Sequence, residues 1–114
     1  MEPTKVVDVF YRTMAEKDKL ALRAVLADDF TFKGPMMAFN NPDAFVEGMM
    51  SMPFSADIIG SRFIADRSHV VHVFVWSMTA PTNAAIPMCE VISLRDDKVL
   101  RSELYFDTKL FPAN

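Results

Sequence analysis

Few side chains in this 114-residue chain combine reactive chemistry with a sheltered position. His72 lies in Val70-Val71-His72-Val73-Phe74-Val75-Trp76, an alternating run that sets it on one strand face with Val70, Phe74 and Trp76. An imidazole among apolar neighbours is held neutral and can take up a proton from a bound molecule. The competing assignment is a core histidine tied to a neighbour such as Ser61. Tyr11 sits on the apolar stripe of an N-terminal helix, where its hydroxyl can donate to a developing oxyanion or simply bond a carbonyl. These two residues are the candidate catalytic pair. Glu90 and Glu103 form a second candidate pair, since one of two carboxylates facing each other in a desolvated site keeps its proton. Their polar neighbours favour instead an outer face, with Arg101 or Arg62 as counter-ions.

The elements that must position these groups centre on residues 89–107. Two β-rich runs flank Asp96-Asp97, which reads as a two-residue hairpin turn. That loop predicts a register in which Arg95 faces Lys98, Ser93 faces Leu100, Val91 faces Ser102 and Cys89 faces Leu104, leaving Glu90 opposite Glu103. One face then carries Cys89, Val91, Ser93, Leu100, Ser102, Leu104 and Phe106, and this apolar face is expected to line the interior. Upstream, Val7, Phe10, Tyr11 and Met14 repeat at helical spacing over residues 3–16, with Pro3 in the first turn. Asp18 reads as the N-cap of a second helix burying Leu20, Leu22, Val25 and Leu26. A short strand over Phe30–Lys33 stops at Gly34-Pro35, and residues 36–41 read as a loop. Asn41 and Pro42 open a third helix with Phe45, Val46, Met49 and Met50 inward. Strands follow over Ile58–Ala65 and Val70–Thr79, then the hairpin.

The order helix, helix, strand, helix, four-strand meander predicts one α+β domain spanning residues 1–114, a curved antiparallel sheet with three helices enclosing a pocket. The walls of that pocket are expected to include Phe10, Phe32, Phe74, Trp76, Cys89, Val91, Ser102, Leu104 and Phe106. Hydrophobic residues make up 51% and charged residues 24%, which marks a globular chain. A net charge of −3 with no basic cluster argues against nucleic acid and anionic membranes as partners. No apolar run reaches the length of a membrane span, and Met-Glu-Pro-Thr-Lys has no signal-peptide pattern. Cys89 is the only cysteine, so no intrachain disulfide forms, and a cytoplasmic location is expected. His69 and His72, three apart on a strand, point to opposite faces, so neither a metal nor another cofactor is expected.

Three stretches, Phe10-Tyr11 followed by Asp18 and Leu20, Leu26-Ala27-Asp28-Asp29-Phe30-Thr31, and Leu94-Arg95-Asp96-Asp97-Lys98-Val99 ending in Tyr105-Phe106-Asp107, give the chain a resemblance to the SnoaL-like branch of the nuclear transport factor 2-like superfamily. The resemblance implies a cone-shaped α+β fold with a deep, mostly apolar pocket. Family members include polyketide cyclases, ketosteroid isomerases, epoxide hydrolases, dehydratases and non-catalytic binding domains. In a register anchored on Ala27-Asp28-Asp29, the isomerase base falls at Gly34, its oxyanion-hole tyrosine at Phe10 and its protonated aspartate at Cys89. A shift of one residue moves Tyr11 and Glu90 into the last two positions. Anchored on Tyr105-Phe106, an epoxide-hydrolase acid falls at Leu104, a second aspartate near His72 and an arginine near Val70.

The expected function is binding of a small apolar molecule in the cone, with cofactor-free acid–base chemistry of isomerase, cyclase or dehydratase type. The alternatives are a pocket protein that binds without turnover and a dimeric interaction module with a vestigial pocket. A homodimer is expected, because the outer sheet face with Val71, Val73 and Val75 would otherwise be a large exposed apolar patch.

Overall fold

The computed structural model describes residues 1–112. Helix α1 (Pro3–Ala15) starts with Pro3 in its first turn and buries Val6, Val7 and Phe10. Helix α2 (Lys19–Val25) is capped by Asp18, whose carboxylate accepts from the Ala21 N–H at 3.1 Å. Leu20, expected inside, is 83% exposed; only Leu22 and Val25 of this short helix face the core. Strand β1 runs over Leu26–Lys33, four residues earlier than the sequence suggested, and pairs in parallel with the last strand. The presumed loop after it contains a two-residue strand, β2 (Ala38–Phe39), antiparallel to β1. Helix α3 (Pro42–Met50), capped by Asn41, packs over β2 at Gly48, where a Cβ would lie 2.5 Å from the Phe39 ring.

The meander follows: β3 (Ser55–Ala65), β4 (His69–Ala80), β5 (Ala84–Arg95) and β6 (Lys98–Phe106), then a short 3₁₀ turn over Thr108–Leu110. The sheet order is β2-β1-β6-β5-β4-β3, six strands, mixed because β1 runs parallel to β6. The helices cover one face. Asp96 and Asp97 both take positive φ, 53° and 60°, as a two-residue turn of the mirror-image type requires.

Two β-bulges set what the sheet points inward. In β6, Leu94 pairs with Val99 but Ser93 pairs with Arg101, so Leu100 is an extra residue. The pairing beyond it shifts by one, and a one-residue shift exchanges the faces of a strand relative to its neighbour. Glu90 therefore faces Leu104, and Cys89 faces Tyr105. In β3, Ile59 pairs with Val75 and Arg62 with Val73, leaving Gly60 and Ser61 together opposite Phe74. Gly60 supplies the left-handed conformation there, at φ +66°.

The interior is layered along the strands. Val70 and Ile92 are cross-strand partners and belong to the main core with Phe10, Phe30, Phe32 and Phe45. Four residues along, Phe74 and Met88 are partners in a second apolar cluster with Ile86, Trp76, Phe106 and Phe111. The rung between them is His72 opposite Glu90.

Candidate functional site

That middle rung is polar, and both of its ionisable groups are buried: His72 is 1% and Glu90 5% exposed. Helix α1 supplies the third member. Successive helix residues differ by about 100° in direction. Phe10 thus enters the aromatic core, stacked 6.0 Å from Phe45, while Tyr11 turns toward the sheet. The Tyr11 hydroxyl lies 2.5 Å from Glu90 Oε1, and its ring edge meets His72 at 4.9 Å between centroids. On β6 the Ser102 hydroxyl bonds Glu90 Oε2 in a close contact. Both carboxyl oxygens are thereby occupied.

Burial pushes the Glu90 carboxyl above the ordinary carboxylate range, against the smaller opposing pull of the Ser102 and Tyr11 hydrogen bonds. Tyr11 is pushed up as well, by its own burial and then by the adjacent Glu90, so the phenol keeps its proton. As placed, both hydroxyls donate to the Glu90 oxygens; a Glu90 that takes up a proton donates it to one of them and accepts from the other. When it donates to the Tyr11 oxygen and accepts from Ser102, the Tyr11 O–H is released to point at a third group.

His72 has the opposite displacement. Burial lowers its pKa to about 4, only partly offset by the carboxylate of Asp8 on the facing side of α1. The ring is neutral at pH 7. Its two faces are covered by Phe63 at 4.3 Å and Phe74 at 4.2 Å, both stacked. Nε2 lies 2.8 Å from the Ser61 hydroxyl, the neighbour named as its alternative partner. Nδ1 is buried and has no hydrogen-bond partner. Burial thus disfavours the charged form of both neighbours, raising the acid and lowering the base, and such opposite displacements are how a site divides proton donor from proton acceptor.

The structure sorts the expected wall residues into three groups. Phe74, Trp76, Leu104 and Phe106 surround the polar rung or the apolar cluster beside it, and Ser102 bonds Glu90. Phe10 and Phe32 fill the main core, Phe10 with its ring 5.5 Å from that of Tyr11. Cys89 and Val91 are corrections: they lie half-buried on the convex face, because the Leu100 bulge exchanges the faces of β5 relative to the hairpin register. The same bulge brings Glu90 inside and leaves Glu103 opposite Val91 outside, so the two glutamates do not face each other. Glu90 had a legible signal, since Ile86, Met88 and Ile92 on its own face are larger and more apolar than Ala85, Pro87 and Cys89. Phe63 was missed, and its stacking on His72 follows from their direct pairing across β3 and β4.

An open groove of about 510 Å³ lies elsewhere, lined by Pro35, Pro87, Met88, Cys89, Tyr105 and Phe106. It touches none of Tyr11, His72 or Glu90, so the hydrogen-bond geometry marks the candidate site and the groove does not. Among the described residues no cluster of His, Cys, Asp and Glu side chains has metal-ligating spacing, and no helix is long and apolar enough to cross a membrane.

Known structures repeat this architecture. An NTF2-like protein of unknown function from Cytophaga hutchinsonii superposes with a TM-score of 0.79 at 19% identity, over 96% of this chain and 94% of its own. An epoxide hydrolase of the LEH-like type from M. tuberculosis gives 0.78 at 19% identity, over 93% and 83%. A protein of ketosteroid isomerase-like fold from Catenulispora acidiphila, in complex with trimethylamine, gives 0.77 at 16% identity, over 96% and 90%. At these identities the likeness establishes the fold. No curated protein matches the chain. The model of the SnoaL-like domain matches residues 7–102, and with the cone of three helices on a six-stranded mixed sheet this establishes that the chain belongs to the SnoaL-like family of the NTF2-like superfamily.

Proposed function

We propose that this SnoaL-like protein takes a small, mostly apolar molecule into the cone and moves a proton on it without a cofactor, in the manner of an isomerase, cyclase or dehydratase. The observation that carries this reading is the His72–Glu90 rung: a neutral base with an unpartnered Nδ1 beside a buried carboxyl whose pKa is raised, the two joined by Tyr11. His72 Nδ1 accepts a proton from the bound molecule. Tyr11 donates to the oxygen on which negative charge develops, and Glu90 supports it by donating into the phenol oxygen. Phe74, Trp76, Leu104 and Phe106 supply the apolar surroundings. The trimethylamine complex of the Catenulispora relative is in keeping with a small organic guest in this fold.

The test has two stages. Ligands carried through purification are identified by mass spectrometry, and a panel of small carbonyl compounds is screened for a rise in melting temperature, which binding produces by mass action. Leu104→Glu should abolish the rise by setting a charge in the apolar wall. With a ligand in hand, His72→Gln should bind it normally and turn it over more slowly by about 10²–10⁴-fold, the usual contribution of one general base. A panel without any shift and a protein that carries nothing would sink the reading.

A second reading concerns self-association. On the convex face Ile59, Ile64, Val71, Val73, Val75 and Val91 form an apolar patch with Arg62 between the two isoleucines, and Ile59 is 51% and Ile64 70% exposed. We place a homodimer contact there. Light scattering at tens of micromolar should report a dimer, and Val73→Lys should dissociate it. A monomeric wild-type protein would end this proposal.

A further inference from the structure

Among the described residues, His72 Nδ1 is the one fully buried side-chain polar atom without a partner. The rest of the ring is enclosed unevenly. Phe63 and Phe74 seal its two faces, and the Nδ1 edge is buried. Only the Nε2 edge meets a polar group, the Ser61 hydroxyl at 2.8 Å. Ser61 belongs to the edge strand of the sheet and is exposed. It shares the inward face with Phe63, the partner of His72 two residues on, and the Gly60-Ser61 bulge lies at this point of the strand.

The tautomer follows from what each choice would leave unsatisfied. With the hydrogen on Nδ1, a buried N–H donor has no acceptor. With the hydrogen on Nε2, that N–H donates to Ser61 Oγ, and only a lone pair on Nδ1 is unfilled. Orphaned buried N–H groups are the rarer case. The second tautomer is therefore favoured, and it leaves Nδ1 as the basic atom.

We propose that Ser61 is the positioning residue and proton outlet of His72: its hydroxyl accepts the Nε2 hydrogen, fixes the Nδ1 lone pair as the base, and hands protons to water at the exposed edge of β3. The step balances. A proton arriving on Nδ1 makes the imidazolium; the Nε2 proton passes to Ser61 Oγ as the hydroxyl's own proton passes to water. The ring is left neutral with its hydrogen on Nδ1; it regains the starting tautomer when a proton from water re-enters through Ser61 onto Nε2 and the Nδ1 proton is given back to the bound molecule. Only O–H and N–H bonds change. The use of this relay in turnover rests on the acid–base reading above, but the relay itself belongs to the protein without any ligand.

The experiment reads it there. In ¹⁵N-labelled protein carrying His69→Gln, His72 is the sole imidazole, since the chain has two histidines. Nitrogen NMR of the ring should show the hydrogen on Nε2, exchanging with water. Ser61→Val fills the same place without a hydroxyl and should slow that exchange by about 10²-fold, the lower end of what a positioned proton-transfer group contributes. Ser61→Thr should restore it. If the valine variant does not fold, Ser61→Cys, a weaker acceptor of similar shape, should slow exchange in the same direction by a smaller factor. A wild-type ring protonated on Nδ1, or a folded valine or cysteine variant exchanging as fast as wild type, overturns the proposal. Failure of the ligand screen alone leaves these readings unaffected, so the two ideas fail separately.

Discussion

Glu90 and His72 occupy one rung of the same sheet, face the same way and are nearly equally buried, yet they are held by different means. Glu90 is closed in from two elements, by Tyr11 from α1 and Ser102 from β6, and both of its oxygens are bonded. His72 is held mainly by ring stacking, with one nitrogen tied to an exposed edge strand and the other free. A fully satisfied polar network fixes a unique geometry, whereas a partly satisfied one costs stability unless something else fills it. The Glu90 corner is thus expected to contribute to the fold, and the His72 corner to be kept at the expense of it.

Apolar replacement of each group breaks or sustains that contrast most directly. Glu90→Leu keeps the volume but leaves the Tyr11 and Ser102 hydroxyls unpaired, at about 1–3 kcal/mol each. A total loss of about 2–6 kcal/mol is expected in denaturant unfolding. His72→Leu removes a buried nitrogen that bonds nothing, while the abandoned Ser61 hydroxyl turns to water. Its stability should stay within about 1 kcal/mol of wild type or rise. Equal losses in the two variants would show that the corners do not differ as described.

The pH dependence separates them next. The folded-state pKa of His72, about 4, lies below its ordinary 6.5. The unfolded chain therefore binds the extra proton first, and stability falls as pH drops from about 6.5 toward 4, by at most about 1.4 kcal/mol per unit. For Glu90 the folded-state pKa is raised above its ordinary 4.5, so its sign is opposite: its share of stability is present in acid and lost as pH rises from 4.5 through its folded value. The two slopes oppose each other from about 4.5 upward, as far as the Glu90 limb extends. His72→Gln should remove the loss on falling pH alone, and Glu90→Gln the loss on rising pH alone. Urea midpoints of the three proteins across pH 4 to 9 would show this, and parallel curves would refute the assignment of either shift.

How much of this was open to inspection in the residues follows the same line. The caps at Asp18 and Asn41, the Asp96-Asp97 turn and the alternation through Val70–Trp76 are local patterns, so the elements and their order could be read directly. His72 and Tyr11 were found because a strand period and a helix period each place one side chain. Glu90 was misplaced because register is a property of two strands, and one extra residue at Leu100 reverses every inference carried across the hairpin. Nothing local marks Leu100 as the extra residue. Strand β2 was missed because its two residues form a strand only against β1, with α3 packed over them. Gly60 was different. An isolated glycine inside a strand pattern is a recognised bulge signal, and it would have located the irregularity beside Ser61, which alternation alone had already named as a partner for His72.

Gly60 also gives the mildest test. At φ +66° an L-residue is strained whatever the room around it, and here the room is ample, with no atom within 4 Å of a built Cβ. Gly60→Ala therefore adds no clash and isolates the backbone cost, roughly 1 kcal/mol. If the chain escapes that cost by relaxing the bulge, Ser61 loses its aim at Nε2 while Tyr11, Glu90 and Ser102, on other elements, are undisturbed. The expected result is a small fall in melting temperature, a His72 ring spectrum showing both tautomers, and an unchanged loss of stability with rising pH along the Glu90 limb. A variant that shifts the Glu90 limb as well would mean that the two corners are coupled through the rung, and the division between a structural corner and a reactive one would have to be given up.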